Sequence, residues 1–444
     1  MIGSLREAPS GSLAPAAVRA ARANRTADLA DLARWLAIPS VSVDPRAGPQ
    51  LIAAADHLDR ALTRAGARVH RIGGGPAPVV VGEVAGPPGA PVVLVYGHYD
   101  VQAAGSGWTV PPFAVVRRGR ALIARGANDD KGQLATVVAA LRAGRDGGGL
   151  GCRVVVVAEG AEEIGSPGLD RALARLRHRV RPDVVLVCDT ERAPDGVPAV
   201  TLSQRGRIDA EVLVETPGRP AHPGRRGGAV TDPSLVLADV LRGLRSAVAR
   251  VPAPPEATWR SRAVLSVTRL SAGRPGAGAI PVRARARIDV RLPPQLPAPV
   301  AADLLPGALR RHGRRYRYRK GSPRITVTVM NCHPGMVFAP RAEVLAELDR
   351  ACRSVFSAPL RYSHSGGSLP AAVLLSENFP AASAPVLLGL GTANAGAHGP
   401  DEWLDLDSWS AGVELILLFL GNIGSILSPG KDGGVRIRDS WISV

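Results

Sequence analysis

Four continuous apolar runs limit what this chain can fold into: APVVLVYG, CRVVVVAEG, PDVVLVCD and, far downstream, APVLLGLG. None shows the polar alternation of a half-exposed strand, so both faces of each must be covered. Helical stretches, GQLATVVAALRAG and PGLDRALARLRHR, separate the first three. Apolar strands alternating with helices make an α/β fold, a mainly parallel sheet flanked by helices. Ligands on such sheets sit beyond the carboxyl ends of the strands. That is where the chain carries His98 and Asp100, Glu162 and Glu163, and Asp189.

At 444 residues there is room for more than one core. Ahead of the first strand, TADLADLARWLA reads as a helix over 26–37 with Thr26 as its N-cap, ended by Pro39, and LIAAADHLDRALTRAG as a second, stopped by Gly66. Near residue 207 the texture changes. RIDAEVLVE and RARARIDVRL alternate with period two, with the helix-like PSLVLADVLRGLRSAVAR between them. APVAADLLPGALRRHG and the strands RYRYRKG and RITVTVM follow, giving an inserted ferredoxin-like α+β domain. The expected division is a catalytic domain over 14–207 and 331–427 around an insert at 208–330. The first dozen residues and the tail after Leu427 have the look of poorly ordered chain.

Three local patterns carry chemistry. In LVYGHYDVQ, Asp100 stands two residues past His98, where a carboxylate can fix the tautomer of a metal-binding imidazole. RGANDDKGQ puts Asp129 and Asp130 just before a helix. AEGAEEIGS places Glu162 and Glu163 after a run of valines, where burying either without a partner is costly. One glutamate can ligate metal while the other acts as a general base. His98, Asp100, Asp129, Glu162 and Glu163, with Asp189 and with His398 of GLGTANAGAHGPDE, form an ordered set of histidines and carboxylates suited to two neighbouring zinc ions. Each group alone also fits a solvated strand end or a helix cap.

Charge and cysteine set the background. The net charge is +17, but Lys131, Lys320 and Lys431 are the only lysines, so the excess is arginine in an Ala-, Gly- and Pro-rich chain. This fits codon bias better than a nucleic-acid surface, although RRHGRRYRYRKG at 310–321 interleaves Tyr316 and Tyr318 with arginines. Nucleic acid is therefore not an expected partner. The four cysteines have no paired spacing and read as buried free thiols. The N-terminus lacks a continuous apolar segment of the secretory kind, and AGVELILLFLGNIGSIL is interrupted by Glu414 and Asn422. The expected setting is cytoplasmic, without a membrane.

Taken together, GHYDVQ, GWTVPPF, RGANDDKGQ and EGAEEIGSPG resemble the zinc-dependent exopeptidase and amidohydrolase family of carnosinase, acetylornithine deacetylase, succinyl-diaminopimelate desuccinylase and the glutamate carboxypeptidases, and most of all its carnosinase-type dipeptidases. The likeness runs from IPSVSVDP to beyond His398. It implies that Asp129 bridges two metals, that His98 and Asp189 complete one site, and that Glu163 and His398 complete the other. Glu162 would be the general base acting on a metal-bridging water, and Asp100 would orient His98. The metals would be zinc, with manganese or cobalt as alternatives. The family also has a cis peptide bond after the bridging aspartate, here between Asp129 and Asp130. RPAHPGRRGG resembles the lid motif, whose histidine, here His222, reaches a partner subunit's site and helps hold an oxyanion, so a homodimer through the lid domain is expected.

The chain departs from the family at the substrate turn. Dipeptidases place arginine and glutamate before GGSIP, whereas RYSHSGGSLP has His364 and Ser365 there, with Arg361 nearby. The candidate substrate-binding residues are Arg361, His364, Gly366, Gly367 and Ser368. Pro223 also stands where serine is common, and GAIP near Ile280 lacks a frequent asparagine. The expected activity is amide hydrolysis in a dipeptide or small peptide. The alternatives are an N-acyl amino acid deacylase or biosynthetic amide hydrolase and, from another class, a basic binding protein on a hydrolase scaffold.

Overall fold

The computed structural model describes residues 14–73, 75–252, 262–274, 276–313, 322–382 and 384–427. Two compact units divide the chain. One comprises the chain up to Val200, Ala339–Arg361 and the chain from Leu374; the other comprises Thr201–Phe338 and Tyr362–Val373.

In the first unit the strands run in the order Arg68–Ile72, Val79–Val84, Arg153–Glu159, Val92–His98, Val184–Glu191 and Val386–Gly391. The last four, the apolar runs of the sequence, are mutually parallel, and the first two add an antiparallel edge. Val154, Val155, Val156 and Val157 are fully buried, each worth about 1.5–3 kcal/mol relative to exposure. Helices Lys131–Asp146 and Leu406–Leu427 pack together, with Ala14–Leu36 against both. Leu406–Leu427 is the one described helix long and apolar enough to cross a membrane. Here it is a packed core helix, with Leu415, Ile416, Phe419, Leu420 and Ile423 buried.

The N-terminal helix corrects one expectation. It runs from Ala14 to Leu36, so Thr26 lies in its interior and caps nothing. The segment before Thr26 is rich in alanine and arginine, which favour helix. Tertiary contacts hold it as well: Arg22 grips Glu414 through Nε at 2.7 Å and Nη2 at 2.9 Å, and Arg25 Nε donates to Ser410 Oγ at 2.7 Å. The second helix, Gly48–Arg64, ends as read, with Gly66 just past it in the left-handed region at φ +89°.

The second unit contains a four-stranded antiparallel sheet in the order Val264–Ala272, Arg283–Leu292, Gly206–Glu215 and Arg324–His333. Helices Pro233–Val248 and Ala298–Gly313 pack on it, enclosing Val212, Val240, Leu244, Ile288 and Leu305. The chain order is β-α-β-β-α-β, the ferredoxin-like arrangement. Its second strand, Val264–Ala272, was not anticipated. It is an edge strand, mostly exposed, with a register shift between Val267 and Arg269 that breaks the period-two alternation. The strand expected over RYRYRKG, with Tyr316 and Tyr318, lies outside the described residues, as do the first dozen residues and the chain after Leu427.

Candidate metal centre

All the residues of the centre come from the first unit. His98 is the last residue of the strand Val92–His98, and Asp189 lies inside Val184–Glu191 rather than beyond it. Asp129 and Asp130 precede the helix Lys131–Asp146 and are joined by a cis peptide bond. Glu162 and Glu163 begin a single 3-10 turn after the strand Arg153–Glu159, and His398 sits in a loop at φ +63°.

The loops converge on Asp129. Its Oδ1 lies 3.0 Å from His98 Nε2 and its Oδ2 3.0 Å from His398 Nε2. Asp189 Oδ1 is 3.8 Å from the same His98 nitrogen, and Glu163 Oε2 is 3.3 Å from that of His398. Two clusters of donor atoms follow: His98, Asp130 and Asp189 on one side, Asp129, Glu163 and His398 on the other. Asp130 is an addition to the residues anticipated as ligands. Its Oδ2 accepts the backbone amide of His98 at 3.0 Å. A Cβ on Gly97 would fall 2.6 Å from that oxygen, so a side chain there would have to displace the Asp130 carboxylate.

Neighbouring groups fix the donors. His98 Nδ1 faces the backbone carbonyl of Asp100 at 3.0 Å and its carboxylate at 3.4 Å. The Asp100 carboxylate also accepts the amides of Glu162 and Glu163, both at 3.1 Å. Gln102 Nε2 donates to Glu163 Oε2 at 2.9 Å. Lys131, fully buried, donates through Nζ to the carbonyls of Trp35 and Ile38 at the end of the first helix.

The electrostatics show what the cluster lacks. Burial, and then neighbouring carboxylates such as Asp189 beside Glu162 and Asp130 beside Asp189, push the Glu162 and Asp189 carboxyls well above the usual carboxylate range; Asp130 is raised mainly by burial. Burial alone would lower the His98 pKa, but Asp189 and hydrogen bonds to Asp100 and Asp129 drive it well up. Hydrogen bonds to Asp129 and Glu163 lift His398 to about 10. Asp129 goes the other way: although burial would raise it, hydrogen bonds from His398 and His98 hold it well below the usual carboxylate range. Upward shifts on three carboxyls and two imidazoles together mark a site short of positive charge. Asp130 Oδ1 and Glu163 Oε1 are buried without a hydrogen-bond partner. A mixed imidazole–carboxylate donor set with spare buried oxygens fits divalent cations.

The remaining candidates are not among these donors. His222 is exposed and caps the turn Pro223–Arg226, with Nδ1 accepting the Gly224 amide at 3.2 Å. In the second unit His364 Nδ1 is 2.8 Å from Ser203 Oγ, the Gly366 carbonyl accepts from Arg205 Nε at 2.9 Å, the Gly367 amide donates to Ser365 Oγ at 3.0 Å, and Ser368 Oγ donates to the Arg205 carbonyl. Arg361, in the first unit, is ion-paired with Asp195 at 2.9 Å.

The chain is similar to known peptidases. The sequence profile described as Peptidase family M20/M25/M40 matches residues 94–422. The Cys-Gly metallodipeptidase dug1 of Schizosaccharomyces pombe is 25% identical over 461 residues, covering 89% of this chain and 95% of that protein. The human Beta-Ala-His dipeptidase is 30% identical over 231 residues, 48% of this chain and 46% of its own. The crystal structure of human carnosine dipeptidase 1 superposes with a TM-score of 0.79 at 22% identity, covering 94% of this chain and all of that one, which speaks to the fold.

Proposed function

The chain belongs to peptidase family M20/M25/M40, and from that premise we propose that it is a two-metal hydrolase that cleaves the peptide bond of a dipeptide or small peptide. The observation that carries this reading is the Asp129 carboxylate, with one oxygen 3.0 Å from each of two histidine nitrogens. Two divalent cations, zinc by preference, would be held by His98 with Asp189 and by Glu163 with His398, and when bound would polarise a scissile carbonyl and acidify a water.

The chain's own residues do the rest. Glu162 takes a proton from the attacking water and hands it to the leaving amine. Its raised affinity for protons, caused first by burial and tempered by His98, suits a group that must accept one and return it. Asp100 holds the Glu162–Glu163 turn by its two amides and faces the His98 ring, so base and ligands keep one spacing. His222, on the exposed turn of the inserted domain, supports a homodimer in which it serves the partner's site by binding the carbonyl oxygen as charge develops.

A second reading rests on one observation. At the substrate turn His364 is engaged with Ser203, and Arg361 with Asp195. This favours weak recognition of a free substrate carboxylate and leaves room for deacylation of an N-acyl amino acid. A panel of dipeptides and N-acyl amino acids, assayed on protein loaded with defined metals, tests both. Hydrolysis of neither class by protein carrying two metal equivalents would reject the proposal.

A further inference from the structure

We propose that the buried Arg125–Glu402 ion pair positions one of the two metal sites selectively, the one that Glu163 and His398 supply. This rests on the two-metal reading above.

Neither side chain is solvent-accessible beyond about 1%, and Arg125 Nη1 donates to Glu402 Oε2 at 2.7 Å. The carboxylate is used on both sides. Oε2 also accepts the Gly126 amide at 2.9 Å, while Oε1 accepts the amides of Asn128 at 2.8 Å and Asp129 at 3.0 Å. One buried carboxylate therefore gathers the backbone that presents Asp129. The loop closes against it, because Gly126 adopts φ +84° and the Glu402 carbonyl accepts the Ala124 amide at 3.0 Å.

Glu402 lies four residues past His398 in the same loop, and Arg125 holds that loop a second time, through Nη2 to the Gly399 carbonyl at 2.9 Å. The guanidinium also reaches the carbonyls of Ala103 and Ala104 at 3.4 and 3.5 Å and lies 5.2 Å over the Trp108 ring. The pair thus joins the segment carrying Asp129 to the segment carrying His398. A non-glycine residue at φ +63°, His398 needs such outside support.

The other metal position has its own supports. His98 and Asp189 belong to parallel strands, and the His98 amide and Nδ1 are held by Asp130 and Asp100. In that set Glu402 bonds only the shared Asp129, through its amide; Asp130, the next residue, is anchored separately by its Oδ2 to the His98 amide. Loosening the pair therefore releases two ligands of the Glu163–His398 position and only one of the other. Arg125 and Glu402 act through the ligands, not on substrate.

Metal binding tests this without reference to turnover. Zinc would be titrated against a chromophoric chelator in wild type, Glu402→Gln, Arg125→Met and Arg125→Lys, with Glu414→Gln as a control that removes the outlying Arg22 pair. Thermal unfolding and near-ultraviolet circular dichroism of the metal-free proteins would establish that each variant is folded. Glu402→Gln and Arg125→Met should weaken one of the two equivalents by about 10–100-fold and leave the other within about threefold, with Arg125→Lys intermediate and Glu414→Gln unchanged. Two unaltered equivalents, two weakened in parallel, or loss of folding in every Arg125 and Glu402 variant would overturn the selective role. A folded wild type without two equivalents would overturn instead the reading on which it rests.

Discussion

Asp100 Oδ2 accepts the backbone amide of Glu163 at 3.1 Å, and its Oδ1 accepts that of Glu162 at the same distance. A residue read from sequence as the orienting partner of His98 thus also fixes the turn that carries Glu162, the proposed base, and Glu163, a proposed ligand. The imidazole itself is nearer to the Asp100 carbonyl than to its carboxylate. Asp100→Asn keeps the shape but turns one acceptor into a donor facing an amide. A buried amide left unpaired costs about 1–3 kcal/mol, so kcat should fall about 10–100-fold, with metal affinity falling in step. Chelator titration beside steady-state kinetics checks this, and an Asp100→Asn enzyme within twofold of wild type would show the turn to be held by other means.

Within the adjacent glutamates the roles should separate. Glu162→Gln removes the proposed base and should lower kcat by about 10²–10⁴-fold while two metal equivalents remain. Glu163→Gln should shed metal, because its Oε2 lies beside His398 and its Oε1 has no hydrogen-bond partner. Metal analysis of both purified variants decides the matter, and the reverse pattern would exchange the two assignments.

The sequence made one half of this centre readable and hid the other. His98, Glu163 and Asp189 stand out because groups on a parallel sheet collect where apolar runs stop, whereas Asp129 and His398 join them as ligands only through the resemblance of the combined motifs to the family. Asp130 was passed over because an aspartate before a helix reads as a cap, yet its side chain makes no capping bond and serves the His98 amide instead. Gln102, Arg125 and Glu402 act across 61 and 277 positions of chain, separations that no local pattern encodes. Elements went the same way: the helix Pro370–Asn378 and the edge strand Val264–Ala272 lack the strong periodicity that revealed the core.

Asp129 predicts the effect of metal removal. With an oxygen toward each histidine, it should be shared, and Asp129→Ala should weaken both equivalents together. Dialysis of wild type against chelator should abolish hydrolysis, and added zinc, manganese or cobalt should restore it to different extents. Full occupancy of both positions in the Asp129→Ala protein would end the bridging assignment.

If His222 serves a neighbour's site, two dead chains should repair each other. A Glu162→Gln chain lacks the base and a His222→Ala chain lacks the oxyanion donor, but a mixed dimer would contain one site with both. Up to about a quarter of wild-type activity per chain should return after statistical subunit exchange, given that heterodimers are half the population and carry one intact site each. Differentially tagged chains purified as heterodimers provide the measurement, and no recovery in them would place His222 outside the reaction.

The last prediction concerns the substrate carboxylate. A neutral histidine cannot form the bidentate pair that a guanidinium makes with a carboxylate, and His364 is already hydrogen-bonded to Ser203 Oγ at 2.8 Å. Arg361 is the obvious replacement, yet it is paired with Asp195 at 2.9 Å. Both partners are partly exposed, so that pair is worth about 0–1 kcal/mol and could be exchanged for a substrate if the geometry allowed. The expected behaviour is that a peptide amide is cleaved within about tenfold of the matching free acid, a difference of ~1.4 kcal/mol in transition-state binding. His364→Arg should widen the gap in favour of the free acid, and Asp195→Asn should leave it unchanged. A wild-type preference for the free acid far above tenfold, lost on Arg361→Met, would show that Arg361 leaves Asp195 to hold the carboxylate and would return the protein to ordinary dipeptidase specificity.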